Sequence, residues 1–198
     1  MQADLLIENA RQVVTSRGGA NPLTKGDLGR IEIIENGAVA VGGGRILAVG
    51  TAAEVRAKVT VTPATRRIDA TGQIALPGLV DAHTHLVFAG SRENELDLKL
   101  KGVPYLEILA QGGGILSTVR ATRAADREEL VGIGRKYARQ MLAQGTTTAE
   151  VKSGYGLTVA DELKQLEAVR DLASQSALDL VPTFMGAHAF PPEYKNDP

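Results

Sequence analysis

Residues 76–85 have the sequence LPGLVDAHTH and contain two of the three histidines of the chain, His83 and His85. Successive side chains of a strand alternate between its faces, so an extended backbone points these two imidazoles the same way. The apolar residues before them predict a buried strand with the pair at its C-terminal end, where a (β/α) barrel carries its catalytic groups. Burying two imidazoles without partners is costly, so the pair predicts half of a divalent-metal site.

Composition restricts the class of protein. The chain has 198 residues, of which 22 are basic and 23 acidic, and its net charge is −1. This balance offers no basic surface to nucleic acid or to anionic membranes, and we expect neither as a partner. With no cysteine, a metal ion must be held by histidine, carboxylate or a modified lysine. The acidic start of the chain is unlike a signal peptide, and no apolar run approaches the roughly 18–20 residues that span a bilayer, so we expect a cytoplasmic protein.

Residues 1–75 are predicted to form a small β-sandwich-like domain of short strands. Two strands are expected within residues 3–15, a polar loop over residues 16–30, and a turn at Asn36-Gly37. Three glycines at positions 42–44 predict a hairpin between flanking apolar runs. A short helix is expected over residues 51–58 with Thr51 as its N-cap.

Residues 76–198 change to strands that alternate with helices, which is typical of a parallel sheet covered by helices. Apolar spacing predicts an amphipathic helix over residues 126–144, and Thr158 is expected to cap a second helix with Leu163, Leu166, Val169 and Leu172 facing inward. Two shorter helices are expected over residues 104–110 and 117–124. Strands are expected over residues 79–85, 146–151 and 178–185. A full (β/α)₈ barrel needs about 250 residues, so we expect this segment to be the first part of a barrel, incomplete here, in a longer protein.

Four motifs carry a resemblance to a known family. Residues 81–92, 111–115, 150–156 and 185–194 together resemble the imidazolonepropionase family of the amidohydrolase superfamily, in the correct order along the chain. The similarity covers essentially the whole chain, as the N-terminal half of the family's pattern. It implies an amidohydrolase-type (β/α)₈ barrel and a hydrolase that opens the cyclic amide of 4-imidazolone-5-propionate to give N-formimino-L-glutamate in histidine degradation.

The resemblance also implies roles for individual residues. His83 and His85 are expected to bind one zinc or iron ion per subunit, and neutral imidazole suits both metals. Arg92, Tyr105, Tyr155 and His188 are expected to contact the small-molecule substrate, with Arg92 and Tyr105 at its propionate. A guanidinium can hold a carboxylate by two parallel hydrogen bonds, although most arginines are simply solvated. No catalytic acid or base is assigned in this half, and a homodimer is expected to be possible.

Several alternatives stay open on the sequence. Another amidohydrolase, such as a deaminase or a hydantoinase-like enzyme, is one alternative, although the motifs around Arg92 and Tyr155 argue against it. Lys152 follows a strand, where related two-metal enzymes place a carboxylated lysine, but the resemblance implies one metal and a structural or electrostatic lysine. The glycines at 112–114 lack the spacing of a phosphate-binding loop and are expected to form a flexible loop near the site. The third alternative is an inactive partial chain.

Overall fold

The computed structural model describes residues 1–16 and 23–194, so the loop predicted over residues 16–30 lies partly outside the described residues. The chain divides into two compact units, Met1–Pro77 and Gly78–Pro198, each with its own core. None of the helices in the described ranges is long and apolar enough to cross a membrane.

The first unit is built on one mixed sheet. Its elements are β1 (Leu5–Thr15), β2 (Glu32–Gly42), β3 (Arg45–Thr51), α1 (Ala52–Lys58), β4 (Arg66–Asp69) and β5 (Ile74–Ala75), with a 3-10 turn at Lys25–Asp27. The strands lie in the order β3-β2-β1-β4, and β5 also pairs with β1. The predicted hairpin joins β2 to β3. Thr51 caps α1 by accepting a hydrogen bond from the Glu54 N–H at 3.4 Å, as predicted. The described strands of this unit form a single sheet, so the second sheet of a β-sandwich stays a prediction.

Two predictions for this unit are wrong, and both concern asparagine. The expected turn at Asn36-Gly37 does not form, because β2 continues through it with Asn36 at φ 49°. The two strands expected within residues 3–15 are one strand, β1, whose pairing with β2 shifts register between Ile7 and Ala10. Asn9, inside that shift, has φ 58°. Asparagine tolerates the left-handed region, so both positions take irregular strand geometry instead of ending a strand.

The second unit is a parallel α/β structure. Its elements are β6 (Leu79–Thr84), α2 (Asn94–Leu100), α3 (Tyr105–Ala110), α4 (Ile115–Ala124), α5 (Arg127–Ala143), β7 (Thr146–Lys152), α6 (Val159–Ala173) and β8 (Asp179–Thr183), with a 3-10 turn at Pro192–Tyr194. The strands lie in the order β6-β7-β8, all parallel. The core of this unit joins residues of α5, β7 and α6 with the segment that follows β6. Helix α2 was not predicted from the sequence.

The prediction that the apolar run before the histidines is a buried strand is wrong. Leu79 and Val80 of β6 are 51% and 68% exposed. Among the described residues β6 pairs only with β7, so it is an edge strand, and its apolar side chains have few neighbours. The buried residues come directly after the strand, at Leu86 and Val87.

The inward face of α6 also differs from the prediction. Val169 and Leu172 are buried as expected, but Leu163 is 53% exposed. Glu162 and Gln165 lie on the buried face instead, at 2% and 1% exposure. These two polar residues occupy positions that the apolar pattern alone does not identify.

Candidate active site

Three of the expected site residues gather where the parallel strands end. His85 follows β6, Tyr155 follows β7 and His188 follows β8. The His85 ring stacks on the His188 ring with centroids 4.8 Å apart and lies 4.6 Å from the Tyr155 ring. The His83 ring is 6.3 Å from that of His85, in an edge-on arrangement. The carboxyl ends of parallel strands share one edge of a sheet, which brings together residues that are more than 100 positions apart.

His85 is held in its neutral form. Burial, together with charge repulsion from the neighbouring His188, His83 and Lys152, lowers the pKa of its imidazole to about 4. Its Nδ1 atom is buried and has no hydrogen-bond partner among the described residues. A buried polar atom without a partner is costly, so this nitrogen is suited to receive a ligand. A neutral imidazole is also the form that binds metal ions.

The histidine pair is compatible with a shared metal ion after a small adjustment. Two imidazoles on one tetrahedral zinc ion, with Zn–N bonds of about 2.0–2.1 Å, place their ring centroids roughly 5 Å apart. The observed 6.3 Å is larger, and His83, which is exposed, is the ring that has room to turn. Within the described part of the chain no group of three histidine or carboxylate side chains could hold a metal by itself.

Lys152 forms an ion pair with Glu150 two residues earlier on β7. Both side chains are largely buried, with 12% and 18% exposure. The hydrogen bond from Lys152 lowers the pKa of the Glu150 carboxyl. This ion pair engages the Lys152 amine with a carboxylate of the same strand. The geometry thus favours an electrostatic Lys152 over a carboxylated one.

The loop that presents Tyr155 is fixed by a buried carboxylate. Glu162 accepts hydrogen bonds from the backbone N–H groups of Gly154, Gly156 and Leu157, each at 2.8 Å. The loop needs this support because Leu157 has φ 56°, which costs a residue with a side chain about 1–2 kcal/mol. Gln165 accepts from the Tyr155 N–H at 3.1 Å.

Gln165 also ties this loop to the segment after β6, because its Nε2 donates to the Val87 carbonyl at 2.8 Å. Sequence reasoning missed Glu162 and Gln165. The signal that could have found them is their spacing, since positions 162, 165, 169 and 172 share one helical face.

Arg92 and Tyr155 line one cavity of about 260 Å³ together with Phe88, Thr118 and Tyr137. Arg92 is exposed in the loop between β6 and α2. Burial raises the pKa of the Tyr155 hydroxyl, Arg92 opposes this shift and Tyr105 adds to it. Arg92 and Tyr105 therefore both act electrostatically on Tyr155, although no hydrogen bond joins either of them to it among the described contacts.

Tyr105 begins α3 and lies against the glycine loop at 112–114. A Cβ atom on Gly114 would come within 2.9 Å of the Tyr105 hydroxyl oxygen. The loop is also tied down, since the Gly114 N–H donates to the buried Glu95 carboxylate at 2.6 Å and Arg120 donates to the Gly112 carbonyl. These hydrogen bonds differ from the flexible loop that we expected, and Tyr105 packs against a loop that is held in place.

Comparison with known proteins shows which enzymes this chain resembles in sequence. Residues 37–58 match the family described as the imidazolonepropionase-like composite domain of bacteria. Over 198 residues, 100% of the chain, the sequence is 54% identical to an imidazolonepropionase of Alkaliphilus metalliredigens, of which it covers 47%. The chain spans about half the length of the curated relatives it matches.

Solved structures resemble the fold. Guanine deaminase of E. coli superposes with a TM-score of 0.57 at 18% identity, over 89% of this chain and 36% of that one. An adenosine deaminase from Xanthomonas campestris with bound zinc superposes with a TM-score of 0.54 at 24% identity, over 86% of this chain and 32% of that one. These likenesses show that the chain shares an α/β fold with these two enzymes. Along its whole length the chain is similar to the N-terminal half of curated imidazolonepropionases, with about half of its residues identical to those of these relatives.

Proposed function

We propose that the complete protein to which this chain belongs hydrolyses the cyclic amide of 4-imidazolone-5-propionate to N-formimino-L-glutamate, in histidine degradation. The observation that carries the proposal is the convergence of His83, His85, Tyr155 and His188 at the ends of three adjacent parallel strands. The identity of about half of all residues to imidazolonepropionases supports the same reaction.

The reaction needs an activated water, a polarised carbonyl and a site for the carboxylate tail. His83 and His85 would hold one zinc or iron ion, which when bound lowers the pKa of a water molecule and acts as a Lewis acid. The buried, neutral imidazole of His85 is available as a ligand without first losing a proton. Because the relatives are about twice as long, the remaining ligands are proposed to come from the part of the protein that this chain does not include.

The chain's other site residues would bind and orient the substrate. Arg92 is proposed to hold the propionate carboxylate in the cavity that it shares with Tyr155, with Tyr105 beside it. His188 is proposed to hydrogen-bond the ring or carbonyl of the substrate. Its Nδ1 lies 3.0 Å from the Gly154 carbonyl oxygen, so Nδ1 donates there and leaves Nε2 of the neutral ring as an acceptor, which favours a ring N–H of the substrate over its carbonyl.

The same proposal covers the architecture around the site. The second unit is proposed to supply the first three strands of an amidohydrolase barrel, following a small β domain in residues 1–75. One metal ion per subunit, a cytoplasmic location and a possible homodimer belong to this proposal.

A substrate panel tests the function. The complete, metal-loaded protein is expected to hydrolyse 4-imidazolone-5-propionate, to act far more slowly on the analogue without the propionate, and to leave hydantoins and aminopurines unchanged. Two measurements monitor the formation of N-formimino-L-glutamate: the loss of the ring absorbance and the mass of the product. Preferential release of ammonia from an aminopurine would contradict the proposal and favour a deaminase.

A further inference from the structure

We propose that Glu162 is a positioning residue for substrate binding, whose buried carboxylate fixes the loop at residues 153–157 and thereby sets both Tyr155 and His188. This inference rests on the proposed function, which places those two side chains against the substrate. Glu162 lies in the first turns of α6, and its described hydrogen bonds all go to backbone N–H groups of the loop.

The carboxylate satisfies three donors at once. Its Oε2 accepts from the Gly154 N–H, and its Oε1 accepts from the N–H groups of Gly156 and Leu157. Glu162 is 2% exposed, so these bonds are shielded from water. A neutral amide offers one acceptor oxygen where the carboxylate offers two, and its NH₂ group would meet a backbone N–H. Only a carboxylate at this position satisfies all three donors.

The loop transmits this constraint to both proposed substrate contacts. Tyr155 stands between the two glycines whose N–H groups are held by Glu162. His188 Nδ1 bonds the carbonyl of Gly154, and Gly154 has φ 109° with the His188 ring packed against it. A Cβ atom on Gly154 would come within 2.9 Å of His188 Nδ1. A shift of the Gly154 peptide therefore moves His188 as well as Tyr155.

Gln165 supports the same loop independently, one turn further along α6. Its side chain joins the Tyr155 N–H to the Val87 carbonyl and so links the segments that follow β7 and β6. Buried polar side chains in the first turns of α6 thus connect two of the three strand ends that build the site. Hydrogen bonds that only satisfied a buried carboxylate would not need to link two strand ends, so this link favours a positioning role.

The test is Glu162→Gln in the complete, metal-loaded protein, with Glu167→Gln as the matched control. Glu167 is on the same helix, but its side chain is 48% exposed and pairs with Arg127 away from the loop. We expect KM for 4-imidazolone-5-propionate to rise at least fivefold in Glu162→Gln, with a smaller change in kcat and unchanged metal content. The control should keep wild-type constants. A variant that merely unfolds in part would lose kcat and metal together, and wild-type KM in Glu162→Gln would overturn the inference.

Two further measurements keep the inference testable if Glu162→Gln does not fold. Glu162→Asp keeps both oxygens but withdraws them by one methylene, and it should also raise KM; an unchanged KM would count against the role. Amide hydrogen exchange in the wild type needs no variant. The N–H groups of Gly154, Gly156 and Leu157 should be protected as well as those inside α6, and exchange at the rate of an open loop would refute the clamp.

Exchange also separates the two proposals. If the wild-type protein does not hydrolyse the substrate, the proposed function fails. Protected loop amides would in that case still establish that Glu162 holds the loop.

Discussion

His85 lies at the centre of the candidate site. It contacts the rings of His188 and Tyr155, and burial keeps its imidazole neutral. The spacing of His83 and His85 predicted their shared direction, because that follows from strand geometry alone. The stack on His188 was not predictable, since it depends on how β6, β7 and β8 align in the sheet.

The depressed pKa of His85 predicts a dependence of stability on pH in the metal-free protein. Between pH 6.5 and about 4 the unfolded chain binds a proton at this histidine that the folded chain does not bind. The free energy of unfolding should therefore fall as the pH drops through that window. Urea unfolding at several pH values measures the slope, and His85→Gln should reduce it. Equal slopes in the two proteins would show that His85 titrates normally when folded.

Arg92 is predicted to recognise the propionate through its planar guanidinium. Arg92→Lys keeps the charge but loses the two-pronged geometry, so kcat/KM for the proposed substrate should fall at least about tenfold, or roughly 1.4 kcal/mol. Metal content should not change. The matched control is the substrate analogue without the propionate, for which wild type and variant should perform alike. Unchanged kinetics with the natural substrate would place Arg92 on the solvated surface.

Residue chemistry explains which parts of the site were predictable. Glycines flank Tyr155, and histidine and arginine are recognisable functional side chains, so the proposed ligand contacts could be identified from the sequence. Glu162 and Gln165 could not be, because acidic and amide residues on a helix are usually solvated. Their importance comes from backbone N–H groups that become visible only when the loop is folded.

At the scale of elements, helix α6 gives the clearest comparison. Its existence, its Thr158 cap and its length were predicted, and Thr158 accepts from the Asp161 N–H at 3.1 Å. The predicted orientation of the helix is wrong by about one residue, because the buried face includes Glu162 and not Leu163. Two polar residues at the N-terminal end of the buried face displaced Leu163 to the surface.

The orientation of α6 is tested by a matched pair of substitutions in the 198-residue chain. Leu172 is fully buried, so Leu172→Ala should lower the free energy of unfolding by about 2–5 kcal/mol. Leu163 is more than half exposed, so Leu163→Ala should change it by less than about 0.5 kcal/mol. Urea unfolding measures both. Similar losses in the two variants would show that Leu163 faces a core.

At the scale of the whole molecule, the second unit exposes the two edge strands of its described three-stranded sheet. The exposure of Leu79 and Val80 on β6 and of Val181 on β8 means that both edge strands present apolar side chains. Sequence patterns predicted the parallel arrangement. They could not predict this exposure, since an apolar run has the same sequence whether or not a neighbouring strand covers it.

These edges predict the behaviour of the 198-residue chain expressed by itself. It should not hydrolyse 4-imidazolone-5-propionate, because two histidines fall short of the three protein ligands usual at catalytic zinc. It should also self-associate through its exposed strands. Light scattering and turnover assays beside a full-length relative measure both properties. Metal-dependent turnover by a monomeric chain would show that the described strands suffice for catalysis.

The strand-end cluster around His85 is proposed to hold the metal ion of a hydrolytic site. Metal analysis of the complete protein and of its His83→Ala/His85→Ala variant tests it most directly, with circular dichroism to verify folding and Arg92→Lys as a folded control that should retain its metal. We predict one zinc or iron ion per wild-type subunit and loss of that ion in the double variant. A folded double variant that keeps one ion per subunit would contradict the assignment of His83 and His85 as metal ligands.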